Sequence, residues 1–247
     1  MKLAELTWPE VENLDRNTVI LSPIGALEQH SHHLPFFTDT ILCEGVATRL
    51  EAALPDDVLL LPTQWLGASA HHLGMAGTLT AENETYLRLL CEPLRCLLRH
   101  GFLRVFILNG HGGNADGFHL ALRQLAIEFP DALLGGASYW ELADQEISVL
   151  LEGKRKGVGH ACEFETSLMM HLRPELVRTQ EIRDDELKPV PEALRHVYIP
   201  LDMKRQTSQG GTGQPTLATA EKGKALLEVV VGKGVETIKA MRTTKLA

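Results

Sequence analysis

The chain has 247 residues, of which 44% are hydrophobic, 23% charged and only 5% aromatic. That apolar share is enough for a packed core and excludes a disordered chain. A formal net charge of −8 excludes a basic, phosphate-binding face for nucleic acid as the main function.

In chain order, the first predicted strand covers residues 18–21, an apolar run closed by Pro23 and Gly25. A polar, histidine-rich loop follows to Thr38. Residues 39–54 predict a helix, because Ile41, Leu42, Val46 and Leu50 recur near helical spacing. Residues 58–61 are wholly apolar, as in a strand covered on both faces. A glycine- and histidine-rich loop spans 67–77. Thr80 is the expected N-cap of a helix with Glu82 and Glu84 in its first turn, reaching Arg99, kinked at Pro93 and stopped at Gly101.

Residues 104–108 predict a second buried strand, ending in Asn109-Gly110-His111-Gly112-Gly113-Asn114. A helix is expected over 115–128 and a strand over 132–139. A loop rich in glycine and lysine covers 153–159, and a helix 165–172 ends before Pro174. The Gly-, Ser- and Gln-rich segment 205–215 reads as mobile or ordered by a ligand. Residues 218–242 close the chain as a helix broken near Gly232. Short apolar strands alternating with helices imply an α/β fold whose mainly parallel sheet carries helices on both faces. No internal repeat or linker divides the chain, so one domain, 1–247, is expected.

Four cysteines with no CxxC pair argue against a thiolate zinc module or a disulfide scaffold. The first residues lack the apolar core of a secretory signal, and no apolar run approaches the ~18 residues of a membrane span. The expectation is a cytoplasmic protein without membrane or nucleic-acid partners.

Histidine, at 11 residues, is the unusual count. In open parallel sheets, ligands bind beyond the carboxyl ends of the strands. Glu28, His30, His32, His33 and Asp39 follow the first strand, His71 and His72 the second, and His111 the third; His160, Glu163 and Glu165 follow the Gly-rich loop. Imidazole and carboxylate without thiolate suit zinc, iron or manganese. Two or more carboxylates with two or three histidines exceed the needs of one tetrahedral ion and match a carboxylate-bridged pair. His32 reads as an ordinary loop residue. Cys91, Cys96 and Cys162 read as small packed thiols, and Lys154, Arg155 and Lys156 as a solvated loop. No GxSxG, P-loop, GxGxxG or HExxH string occurs, which leaves a serine or cysteine nucleophile without support.

Together these residues resemble the creatininase family of metal-dependent amidohydrolases. Glu28-Gln29-His30-Ser31-His32-His33-Leu34-Pro35 with Thr38-Asp39 resembles its E-x-H-G-x-H-L-P-x-x-T-D segment, and the Asn109–Asn114 string matches its N-G-H-G-G-N. His160-Ala161 with Glu165-Thr166-Ser167 resembles H-A-G-x-x-E-T-S. Gly67, Ser69, His72, Gly77 and Thr78 resemble G-x-S-x-x-H…G-T, and the stretch from Gly213 to Gly223 resembles the C-terminal signature.

The resemblance implies a three-layer α/β/α sandwich and a site for two divalent ions, zinc first, with manganese or iron as alternatives. By motif position Glu28, His30, Asp39 and His111 would be ligands, with Asp39 bridging. Some members place a carboxylate where this chain has Gly113, so Glu165 is the candidate fifth ligand or, alternatively, the acceptor that orients a ligand histidine; Glu163 is the other possibility in that motif. His160 would donate the proton to the leaving group. The implied reaction is hydrolysis of a C–N bond of a small or cyclic amide by a hydroxide bridging the metals. Lys156-Gly157-Val158-Gly159-His160 departs from the W-D-x-x-H pattern of creatininase itself, which argues against creatinine as substrate. Alternatives are a peptidase on a modified peptide, a formamide hydrolase, a ring-opening hydrolase of a carbocyclic ketone, or a metal-binding protein without catalysis. The family resemblance also implies a homo-oligomer, a hexamer.

Overall fold

The computed structural model describes residues 1–246. Its strands are β1 (Val19–Ile24), β2 (Val58–Leu60), β3 (Arg104–Asn109) and β4 (Leu133–Ser138). They lie in the order β2-β1-β3-β4, every neighbouring pair parallel. Ile20 stands opposite Leu59 on one side and Val105 on the other.

Because successive side chains of a strand point to opposite faces, the sheet feeds two apolar layers. Val19 and Leu21 of β1, with Phe106 and Leu108 of β3, face one cluster. That cluster is completed by α2 (Thr38–Ala53), α5 (Asp144–Leu150), α6 (Glu163–Leu172) and α8 (Ala220–Thr243). Ile20, Ile24, Val105 and Ile107 face the other, closed by α3 (Asn83–Arg99) and α4 (Ala115–Glu128). The result is a three-layer α/β/α sandwich. Helices α6 and α8 cross at Gly223, where any Cβ would run into the Ser167 carbonyl, so the close approach requires glycine.

Several expected boundaries move. Strand β1 runs on through Pro23, because its backbone on that side faces the stretch where β2 has already ended; there Pro23 need only accept, from the Gln64 N–H at 3.0 Å. Helix α3 starts at Asn83 with Glu82 as N-cap, while the Thr80 hydroxyl is used by the Ser69 N–H at 2.7 Å. Pro93 lies within α3 and Gly232 within α8, and both helices continue through them. Helix α5 was not anticipated, and α6 begins two residues earlier than expected. Cys96 is exposed, not packed, whereas Cys43, Cys91 and Cys162 are buried.

The segment 205–215 is tied down. The buried Asp185 carboxylate collects backbone N–H groups from Ser208 (3.1 Å), Gln209 (2.6 Å) and Gly211 (3.3 Å). One carboxylate with several donors fixes a strap that a sequence rich in glycine and glutamine would otherwise leave loose.

Candidate metal centre

All four strands end on one rim, and the polar residues gather there. Glu28 and His30 lie on the loop beyond β1, and Asp39 is the second residue of α2. His71 and His72 sit on a single 3-10 turn beyond β2. His111 directly follows the carboxyl end of β3. Glu165 stands in the first turn of α6, just after His160.

The loop that carries His111 is stapled by its two asparagines. The Asn109 side chain accepts from the His111 N–H at 3.0 Å and donates to the His111 carbonyl at 2.7 Å. Asn114 donates to the Gly25 carbonyl at 3.0 Å and accepts from the Ala68 N–H at 2.9 Å. Loop polar groups, otherwise unsatisfied, thus lock three strand ends together. Two non-glycine residues at positive φ flank the site: Ser31, next to His30, at 55°, and Ala161, next to His160, at 48°. Left-handed backbone of this kind clusters at functional sites.

At the centre, Asp39 reaches His30 Nε2 through Oδ1 at 3.0 Å and His111 Nδ1 through Oδ2 at 3.1 Å. Glu28 lies 3.2 Å from His111 Nε2 through Oε2. Through Oε1 it lies 3.2 Å from His72 Nε2 and 3.5 Å from His160 Nδ1. Ligand-capable atoms of His30, His160 and Glu165 also lie within 4.8 Å of one another. Every residue expected at the site is therefore brought together, except Glu163. Its carboxylate turns away to Lys222 and to the backbone N–H groups of Glu152 (3.0 Å) and Gly153 (2.9 Å). His32 is exposed, as expected of a loop residue, and His33 is buried with Nε2 at 2.9 Å from the Thr166 hydroxyl.

Burial dominates the electrostatics. It pushes the carboxyls of Glu28 and Glu165 up to about 7 each, against the pull of His111 on the first and His30 on the second. Burial would raise Asp39 too, but His30 and His111 outweigh it and hold that carboxyl below the usual range. Burial would lower His30, yet the Asp39 carboxylate raises it to about 10. Burial keeps His72 and His160 uncharged. It also pushes the Cys162 thiol up to about 12, which leaves it a protonated packing group.

The donor set fits divalent cations. Both oxygens of Glu28 and Oδ2 of Asp39 are buried without an aligned hydrogen-bond donor, although imidazole nitrogens stand nearby. Buried charge of this kind is costly unless paired or coordinated to a metal. Oxygen and nitrogen donors without sulfur accept zinc, manganese or iron.

The sequence places His71 and His72 at the rim without a role, and Gln29 enters only within a motif string. His72 and Gln29 belong to the same cluster: Gln29 Nε2 sits 2.7 Å from His72 Nδ1, 3.1 Å from His160 Nε2 and 2.8 Å from the Gly210 carbonyl of the strap. The signal that was available was their position after β1 and β2; the strap that joins them is distant in sequence.

A family model described as creatinine amidohydrolase matches residues 4–238. The chain is 31% identical over 246 residues to a creatinine amidohydrolase of Pseudomonas putida, with 93% of this chain and 92% of that protein covered. It is 33% identical over 239 residues to a mycofactocin precursor peptide peptidase of Mycobacterium ulcerans, covering 94% of this chain and 85% of the other. Among solved structures, creatininase in a manganese form superposes with a TM-score of 0.83 at 29% identity, covering 98% of this chain and 99% of that one. A glutamate-to-glutamine variant of creatininase in a Zn-Zn form gives 0.82 at 29% identity, with 98% of each chain covered.

Proposed function

The chain belongs to the creatininase family and is a metal-dependent amidohydrolase; we propose that it cleaves a C–N bond of a small or cyclic amide at a centre holding two divalent ions, zinc before manganese or iron. Glu28 and His111 would hold one ion, His30 and Glu165 the other, with Asp39 shared between them. The observation that carries this reading is the set of buried, donorless oxygens on Glu28 and Asp39, ringed by imidazoles.

Bound there, divalent ions would lower the pKa of water toward neutrality and would act as Lewis acids toward the substrate carbonyl. The chain's own residues handle the proton. The Gln29 carbonyl, 2.7 Å from His160 Nε2, takes that N–H and leaves the Nδ1 lone pair facing the carboxylates. An uncharged His160 can accept the proton lost by water and return it to the leaving nitrogen. Thr212 Oγ1 accepts from the His160 backbone N–H at 2.8 Å, so the strap fixes the ring's approach. The His160 side chain is 15% exposed, against 0–4% for Glu28, His30, Asp39 and His111, which supports substrate entry on its side.

The residues before His160, Lys156-Gly157-Val158-Gly159, offer no aromatic or acidic side chain to grip creatinine, which favours another amide. A modified peptide, a formamide and a carbocyclic ketone are the competing substrate classes.

The single sheet supports one domain over 1–247. Four free cysteines support a cytoplasmic setting. Among the described residues no helix is long and apolar enough to cross a membrane. The exposed apolar arm bearing Leu187, Val190, Leu194, Val197, Tyr198 and Ile199 supports a homo-oligomer, which we take as a hexamer.

The test is elemental analysis of purified protein with a parallel screen of amides and lactams, each assay repeated with chelator. Asp39→Ala and His111→Ala should lose metal and turnover while keeping their circular dichroism. Unchanged metal content in both variants overturns the proposal, and a metal-loaded protein inert on every amide returns it to the metal-binding alternative.

A further inference from the structure

The two adjacent histidines of the turn Ala70–His72 lead different lives. His72 has a close neighbour at each ring nitrogen, Glu28 Oε1 3.2 Å from Nε2 and Gln29 Nε2 2.7 Å from Nδ1. Among the described residues His71 makes no side-chain hydrogen bond. Its ring is tilted 56° from that of His72 and lies instead parallel to His111, with centroids 5.5 Å apart and an 8° interplanar angle.

That position exists because residue 113 is glycine. A Cβ on Gly113 would stand 2.6 Å from His71 Cε1, so any larger residue there would expel the imidazole. In the space left open, one ring nitrogen of His71, one oxygen of Glu28 and one nitrogen of His111 all lie within 4.8 Å of one another. Donors around a tetrahedral ion with ligand bonds of about 2.0–2.1 Å sit somewhat closer than that, so modest side-chain rotation would close the triad on a cation.

We infer that His71 is a metal ligand, completing with Glu28 and His111 the coordination of one of the two ions. The inference rests on the two-ion reading above and sharpens it. With two imidazoles, this half of the centre favours zinc or another borderline ion, whereas the half built on His30 and Glu165 carries one imidazole and more carboxylate character, closer to the taste of manganese. His71 is half-buried, unlike the buried Glu28 and His111 beside it.

The experiment is equilibrium binding of zinc to metal-stripped protein by chelator competition, for wild type, His71→Ala, His71→Glu and Glu28→Gln, with circular dichroism on each. Wild type should take up two ions in resolvable steps. His71→Ala should weaken one step at least tenfold and leave the other unchanged. His71→Glu, which restores a donor, should regain that affinity in part, and a cobalt-loaded sample should lose visible absorption intensity only in the Ala variant. Two unchanged steps in a folded His71→Ala overturn the ligand role of His71. A wild type that binds fewer than two ions overturns the two-ion reading itself, and the inference with it.

Discussion

Glu163 and Glu165 stand two residues apart in the first turn of α6, yet their carboxylates point to different partners. Glu165 points inward to within ligand distance of His30 and His160, while Glu163 points outward to Lys222 and the backbone of Glu152 and Gly153. The helical rotation of 100° per residue separates them. One acidic motif thus supplies both a candidate metal ligand and an anchor between α6 and α8.

For the anchor, the expected outcome is an acid-dependent stability. Burial would raise the Glu163 carboxyl, but Lys222 and the two N–H groups outweigh it and hold it below its ordinary value of 4.5. A lowered folded-state value means that the stabilisation is fully present above the unfolded pKa and is lost as pH falls through the folded one. Glu163→Gln should therefore cost about 3 kcal/mol near neutrality. In urea titrations the gap to wild type should close as pH drops below the usual glutamate range; a gap independent of pH would refute the ionic anchor.

For the ligand, Glu165→Gln should lower metal occupancy with little change in melting temperature of the metal-free protein, whereas Glu163→Gln should do the reverse. Elemental analysis beside thermal melts separates the two. Full occupancy in Glu165→Gln would reduce Glu165 to orienting a neighbouring histidine.

His160→Ala should keep its metal and lose about 10²–10⁴ in kcat, the usual worth of a positioned acid–base group. The KM should move less, since the ring handles a proton more than it grips substrate. Loss of metal alongside loss of rate would make His160 a ligand.

Ser31→Gly should stabilise the fold by about 1 kcal/mol, the balance of relieved left-handed strain and the entropy of glycine. The Ser31 hydroxyl is buried without a partner, so its removal costs nothing in hydrogen bonding. A lower urea midpoint in Ser31→Gly would show that the serine is needed for the turn.

Gly25→Ala should destabilise by about 2–3 kcal/mol, as overpacking does. Its Cβ would stand 2.5 Å from Thr40 Oγ1 and 2.7 Å from Thr40 Cα, next to the Asp39 that the first turn of α2 carries. Metal affinity should fall together with stability, because the same displaced turn holds both. Chelator competition on the folded variant checks the coupling.

The layered α/β plan and most of the candidate site are legible in the sequence. The alternation of Val19, Ile20, Leu21 and of Val105, Phe106, Ile107 already demands a sheet buried on two faces, and parallel strands deliver their loops to one rim. Glu28, His30, Asp39, His111 and Glu165 are legible as rim residues because each sits beyond a strand end or on the first turn of a helix, and the family resemblance singles them out together with His160. Tertiary structure alone decided the rest. Whether Glu163 or Glu165 faces the centre depends on where α8 brings Lys222. Whether segment 205–215 is loose or bound depends on the Asp185 carboxylate reaching it. Whether His71 has room beside His111 depends on the missing side chain of Gly113, across two loops. Those are contacts between residues tens of positions apart, and spacing along a chain carries no record of them.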